Sequence, residues 1–199
     1  MAKRPRAVDG SEMDPHIAAQ AGWAFFQQSQ GFVGSLPSDP ACTDAVVSMG
    51  DLIASATSLA LSAELFLKAL LILRGSPVPT SHDLLGLWEA LPEPDKQLLR
   101  EDFESRRATE PGAAVTIRLA FAPSEADCTS ELPAGTGEHD NSLEAVLGRS
   151  RYAFCSWRYL HEITQSAGVA VIDYEYHQLA VVVLAVSDRC HGLMFGETA

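Results

Sequence analysis

The chain has 199 residues, enough for one domain with a substantial core or for a domain carrying a long insertion. Its 14 Lys and Arg against 26 Asp and Glu give a formal charge of -12, which opposes nonspecific attraction to phosphate backbones, and its 47% apolar content is that of a globular protein. Cys42, Cys128, Cys155 and Cys190 are scattered, with no close pair of the zinc-binding or redox type, so reduced thiols and a cytoplasmic location are expected.

Residues 1–14 read as a disordered N-terminal tail. Met1 to Arg6 is basic, but no apolar stretch with a small-residue cleavage site follows, so export is not expected. Asp14-Pro15 and Asp39-Pro40 each set a capping side chain before a proline suited to a first helical turn. The first helix carries Ile17, Ala21, Ala24, Phe25, Gln28 and Phe32 at helical spacing and fades around Gly34. The second runs from about Ala41 to Arg74, with Gly50 as a point where it can kink, and stops at Gly75 with Pro77 and Pro79 beyond. Ser81 is placed to cap a short helix through Leu91, and Pro94 to open another reaching about Arg107. Residues 15–107 thus supply the first helices of a single domain.

The second helix holds the most informative pattern. From Leu59 to Leu73 it is apolar on every side except at Ser62, Glu64 and Lys68, as in a helix enclosed by neighbours. Glu64 and Lys68 are four apart, in the favourable order for a side-chain pair. Two alternatives are open. The pair faces solvent and is worth a few tenths of a kcal/mol, or it is partly buried and draws partners from other helices, since an unpaired buried charge costs several kcal/mol. The run from Leu52 to Leu73 is long enough to span a bilayer, but two charges at its middle would each cost roughly 2.5–3.5 kcal/mol there, and no membrane contact is expected.

Residues 108–141 differ in kind. Pro123 to Asn141 contains Glu125, Asp127, Glu131, Glu138 and Asp140, no Lys or Arg, and several Gly, Pro, Ser and Thr, which is the composition of an acidic loop insertion. The preceding AVTIRLAF suits a short strand or an extended docked segment. Residues 142–192 carry the last two helices. Asn141 with Glu144 resembles a capping box opening a helix of roughly 25 residues to Gly168, and a final helix is expected from Asp173 to near His191. On the penultimate helix Leu143, Val146, Leu147, Ser150, Ala153, Phe154, Trp157, Leu160 and Thr164 share one face. Arg151, Arg158 and Glu162 border that face, where long cationic side chains reach a cleft while touching water. Tyr152 and Tyr159 form a second stripe, suited to another helix or a symmetry mate.

AELFLKALLILRG, the following HDLLGLWEALP and the late SRYAFCSWRYLHE together resemble HEPN domains, small helical bundles of prokaryotic toxin–antitoxin, phage-defence and RNA-processing systems. The resemblance rests on Glu64, Lys68, His82-Asp83 and Arg158-Tyr159, and it covers most of the helical chain. It implies an all-α, four- to six-helix up-and-down bundle that often dimerises, here with a long acidic loop insertion. It also implies a cleft where the late helices meet. In catalytic members that cleft cuts RNA with an Arg and a His separated by four to six residues, the Arg stabilising charge on phosphate and the His moving protons. Here Arg158 and His161 are separated only by Tyr159 and Leu160, Arg151 is too far before His161, and Arg189 is too close to His191.

The candidate catalytic residues are therefore Arg158 and His161 in an altered spacing, with His82 as a substitute histidine. The candidate cleft set is Glu64, Lys68, His82, Arg151, Arg158 and Glu162, either as salt bridges fixing helix register or as a phosphate site with Lys68, Arg151 and Arg158 as anion contacts. His177, Asp188 and His191 share one side of the last helix, but two or three such groups without a further converging ligand do not make a metal site, and neither metal nor cofactor is expected. Three functions fit: a non-catalytic or atypical component of a bacterial defence, toxin–antitoxin or RNA-handling system that binds a nucleotide, RNA or partner protein; a metal-independent endoribonuclease; and a structural oligomerisation module. A homodimer is the expected assembly.

Overall fold

A computed structural model describes residues 7–8, 13–33, 49–109, 117–121, 140–158, 170–174 and 176–196. Among these the chain is predominantly helical and is organised around one helix. The elements are β1 (Ala7–Val8), α1 (Pro15–Val33), α2 (Met49–Leu73), β2 (Val78–Pro79), α3 (Leu84–Glu89), α4 (Glu93–Thr109), β3 (Ile117–Phe121), α5 (Leu143–Arg149), α6 (Ala153–Arg158), β4 (Ala170–Tyr174) and α7 (Tyr176–Phe195). α1, α6 and α7 pack on α2, α4 packs on α7, and α3 lies against both α2 and α5.

α2 is central because little of its circumference is polar. Leu59, Ala60, Ala63, Phe66, Leu67, Ala69, Leu70 and Leu71 are all buried, and they meet Leu179, Val182, Val183 and Val186 of α7 in one core. By length and composition alone, Gly50–Leu73 and Tyr176–Phe195 could cross a bilayer; here at least half of each span is buried inside the protein. Small residues let α1 come close to α2. Ser62 Oγ donates to the Gly22 carbonyl at 2.7 Å, and Ser55 Oγ to the Ser29 carbonyl at 2.9 Å. A Cβ added to Gly22 would lie 3.0 Å from the Phe66 ring, close enough that the ring would have to give way, so glycine suits this approach.

Several boundaries differ from those read in the sequence. Residues 34–48, where the second helix was expected to begin, lie outside the described residues. The short third helix is capped by Asp83, not Ser81, because Asp83 is the residue whose side chain accepts from the Gly86 N–H. The expected 25-residue late helix is interrupted at Ser150–Tyr152: the Arg151 carbonyl accepts from the Leu84 N–H at 3.1 Å, which docks α3 there. Asp173, the expected start of the last helix, belongs instead to β4, which pairs antiparallel with β3 from Ile117↔Tyr174 to Phe121↔Ala170. β3 falls in the segment assigned to the acidic loop, at the point where a strand was one of two alternatives. Ala7–Val8, assigned to the disordered tail, pairs with Val78–Pro79.

A second feature holds three helices at one end. Asp95, in the first turn of α4 and 1% exposed, accepts from Arg74 beyond the end of α2 at 2.6 and 2.5 Å and from Arg189 of α7 at 3.0 Å. Burial pushes the Asp95 carboxyl up, but the hydrogen bonds and charges of the two arginines outweigh it and hold the group below the ordinary carboxylate range. Because the folded-state value is depressed, the stabilisation is present at neutral pH and is lost as pH falls through the carboxylate range. Asp95→Ala is expected to lower the unfolding free energy by about 3–5 kcal/mol in denaturant titration at neutral pH, since it strands two arginines. Glu104→Ala, which removes only a surface partner of Arg107, is expected to change it by about 0.5 kcal/mol or less.

Candidate functional site

The Glu64 side chain enters the interior as the outer stripe of α2 passes beneath α3, and it is 3% exposed. One carboxylate oxygen accepts from Lys68 Nζ at 2.6 Å, the other faces His82 Nδ1 at 2.8 Å. Lys68 is also mostly covered, so of the two alternatives for this pair the buried, partnered one is observed. An ionised carboxylate only accepts, so the His82 Nδ1–H donates and Nε2 is the ring's remaining nitrogen. The His82 ring also lies 5.0 Å from that of Phe154 in α6, which supports its apolar face.

Asp83, the next residue, turns the other way. Its carboxylate accepts from Arg151 Nε at 2.8 Å and from a terminal guanidinium nitrogen at 2.6 Å, a two-point contact, while also capping α3. Gly86 makes room for this arrangement: a Cβ there would lie 3.0 Å from Asp83 Oδ2, which explains a glycine inside a six-residue helix. His82 and Asp83 therefore do not form a dyad with each other. From the segment before α3 they link the two halves of a seam, His82 reaching Glu64 and Lys68 on α2 and Asp83 reaching Arg151 at the α5–α6 junction.

The seam is closed at one end and open at the other. Glu64 is buried, whereas His82 is 47% and Arg151 42% exposed, and the two exposed groups are linked through Asp83, which follows His82 in the chain and holds Arg151. With His82 neutral, two carboxylates balance two cations; a protonated His82 adds one positive charge. Two of the five guanidinium N–H donors of Arg151 are engaged by Asp83, and the cation also lies over the Tyr152 ring, 5.3 Å from its centroid.

Of the residues singled out in the sequence, Glu64, Lys68 and His82 are in direct contact, and Arg151 pairs with Asp83, the residue after His82. Arg158 is the last residue of α6, and His161 and Glu162 lie outside the described residues. The His177, Asp188 and His191 set does not converge as a metal centre: Asp188 pairs with Arg106 at 2.5 Å, His191 packs on Phe195, and among the described residues no group of three metal-ligating side chains is found. Sequence reasoning missed Asp83 as the partner of Arg151, and it missed the cluster of Asp95 with Arg74 and Arg189. The available signal for Asp95 was an acid in the first turn after Pro94, which reads as ordinary helix capping. No family model matches the chain, and neither a curated protein nor a solved structure matches it.

The Asp83 carboxyl is raised by burial but lowered further by Arg151 and by the Gly86 and Leu85 backbone N–H groups, so it sits below its ordinary value. Its stabilisation is therefore complete above the ordinary carboxylate pKa and disappears as pH falls through the depressed one. Asp83→Ala is expected to cost about 1–2 kcal/mol at neutral pH through the lost cap and ion pair, and Asp83→Asn, which keeps the cap acceptor, a smaller amount. Denaturation midpoints of the wild type and both variants should converge as the pH is lowered through the carboxylate range.

Proposed function

We propose that this chain is a cytosolic HEPN-like helical bundle that acts as a non-catalytic or atypical component of a bacterial toxin–antitoxin, phage-defence or RNA-handling system. In this reading the open end of the seam binds a phosphate of a nucleotide or RNA. The observation that carries it is the pairing of a 3% exposed Glu64 with a half-exposed His82, whose chain neighbour Asp83 holds the half-exposed Arg151. A buried carboxylate that orients an imidazole, linked through Asp83 to a guanidinium with further N–H donors, suits an anionic oxygen, and Lys68 supplies positive charge behind the imidazole. The chain's charge of -12 sets the kind of ligand: affinity must come from a few local contacts, which favours a mononucleotide or a short single strand over a duplex.

The test is fluorescence anisotropy of a labelled mononucleotide and of a short single-stranded RNA with the full chain. Arg151→Glu is expected to weaken binding by at least about tenfold, equivalent to about 1.4 kcal/mol, with the far-UV spectrum unchanged. Absence of binding by the wild type, or equal binding by Arg151→Glu, would reject the phosphate site.

The Glu64–His82 contact favours one second reading, a metal-independent endoribonuclease. A histidine held at Nδ1 by a carboxylate presents Nε2 as an acid or base, so His82, in place of the Arg158 and His161 pair, would move the proton while Arg151 meets the phosphate. RNA cleavage in the presence of chelator, abolished by His82→Ala and reduced by Glu64→Gln, would put this reading first.

A further inference from the structure

α1 and α7 both rest on α2 and touch each other over only a short stretch. Their relative direction follows from the contacts at the two ends. His16 at the start of α1 lies against Phe195 at the end of α7, ring centroids 6.4 Å apart, and Ser29 late in α1 meets the Tyr176 hydroxyl at the start of α7 at 3.3 Å. The helices are therefore antiparallel. Between them opens a pocket of 430 Å³, lined among others by His16 and Trp23 of α1 and by Asp188, His191 and Phe195 of α7, with Phe66 of α2 at its floor. Trp23 follows His16 by seven residues and Asp188 precedes Phe195 by seven, so each lies about 10 Å along its helix from that contact, and the indole and the carboxylate stand at matching depth on opposite walls.

Aromatic rings and one carboxylate give the pocket its chemistry. Trp23 is 43% and Phe195 62% exposed, and each ring is backed by a neighbour, Trp23 stacking on Phe26 with centroids 5.4 Å apart and Phe195 packing on His191 at 4.6 Å. Among the described residues that line the pocket there is no Lys, Arg or Glu, and Asp188 is the carboxylate. One Asp188 oxygen accepts from Arg106 at 2.5 Å, but that guanidinium is also held by Asp102 at 2.9 and 3.0 Å. Two carboxylates thus share one cation, and a negative charge is left over at the pocket edge. Asp188 is 64% exposed, and its other oxygen retains the capacity to accept a donor.

We propose that this pocket binds a small organic cation, a protonated amine that carries an aryl or short alkyl group. The ammonium donates to Asp188 and lies on the negative face of the Trp23 indole, while the apolar part of the ligand covers Phe66 and the exposed surface of Phe195. The volume and the apolar lining with a few polar groups are those of a small-molecule site. An anion would meet a carboxylate and no Lys or Arg, and a neutral ligand would leave the charge of Asp188 unanswered. His16 and His191 do not make a metal centre with Asp188, since among the described residues no group of three metal-ligating side chains is found. The pocket shares no residue with the Glu64 seam and takes a ligand of the opposite charge, so the two proposals stand or fall separately.

The test is a set of saturation-transfer NMR titrations of this chain at neutral pH with phenethylamine, its neutral counterpart phenethyl alcohol and the anion hydrocinnamate. The amine is expected to bind, the alcohol to bind at least about tenfold more weakly, and the anion to bind weakest. Asp188→Asn should weaken the amine by at least about tenfold and leave the alcohol within about twofold, whereas Trp23→Leu should weaken both. Both positions are exposed, and the far-UV spectrum should not change. Glu104→Gln, elsewhere on the surface, should alter neither ligand, which separates the pocket from the general attraction of a chain of charge -12 for cations. No amine binding up to about 10 mM, equal affinities for amine and alcohol, an Asp188→Asn variant that binds the amine as the wild type does, or an equal loss in Glu104→Gln would overturn the proposal.

Discussion

A carboxylate inside an apolar helix has to be answered by its surroundings, and Glu64 imposes that demand on this fold. Left alone in the core it would cost several kcal/mol. Lys68, one turn on, supplies a counter-charge, but the second carboxylate oxygen still needs a donor, and His82 provides it from the segment before α3. That requirement positions the segment. With His82 turned toward α2, Asp83 turns toward α5–α6, caps α3 and takes Arg151, whose carbonyl in turn accepts the Leu84 amide. One buried charge thus specifies where three elements meet.

Asp95 solves the same problem differently at another end of α2. It is as deeply buried, yet both of its partners are arginines, one just beyond the end of α2 and one within α7, and its negative charge is matched twice over. Such a site is saturated and serves as a lock. The Glu64 seam also balances its charges but leaves an imidazole and a guanidinium half in solvent, and that difference in exposure, rather than any difference in residue type, separates a candidate site from a structural clasp.

How much was legible in the sequence depended on the range of the interaction. Helix starts written locally, such as Asp14-Pro15, and the stop at Gly75 were readable because caps and breakers act within a turn. The burial of Glu64 with Lys68 was one of two alternatives raised by periodicity, and its partner His82 was in the expected cleft set. Periodicity could not separate Asp83 from a routine helix cap, because its contact with Arg151 spans 68 residues. The same limit hid Asp95, whose link to Arg189 spans 94. The break at Ser150–Tyr152 escaped for a related reason: the apolar pattern runs straight through it, and the backbone departs from helix only to meet α3. Asp173 was misplaced because an Asp before a long apolar stretch is a good helix cap, while strand pairing with Ile117–Phe121 is a tertiary fact.

The central claim is that Glu64 holds the His82 ring by Nδ1. Its most direct test is nitrogen-15 NMR of the imidazole in this chain at a pH where His82 is neutral. The expected result is one dominant tautomer, protonated at Nδ1, that gives way to a mixture in Glu64→Gln. A mixture of tautomers in the wild type, or a preference unchanged by Glu64→Gln, would contradict it.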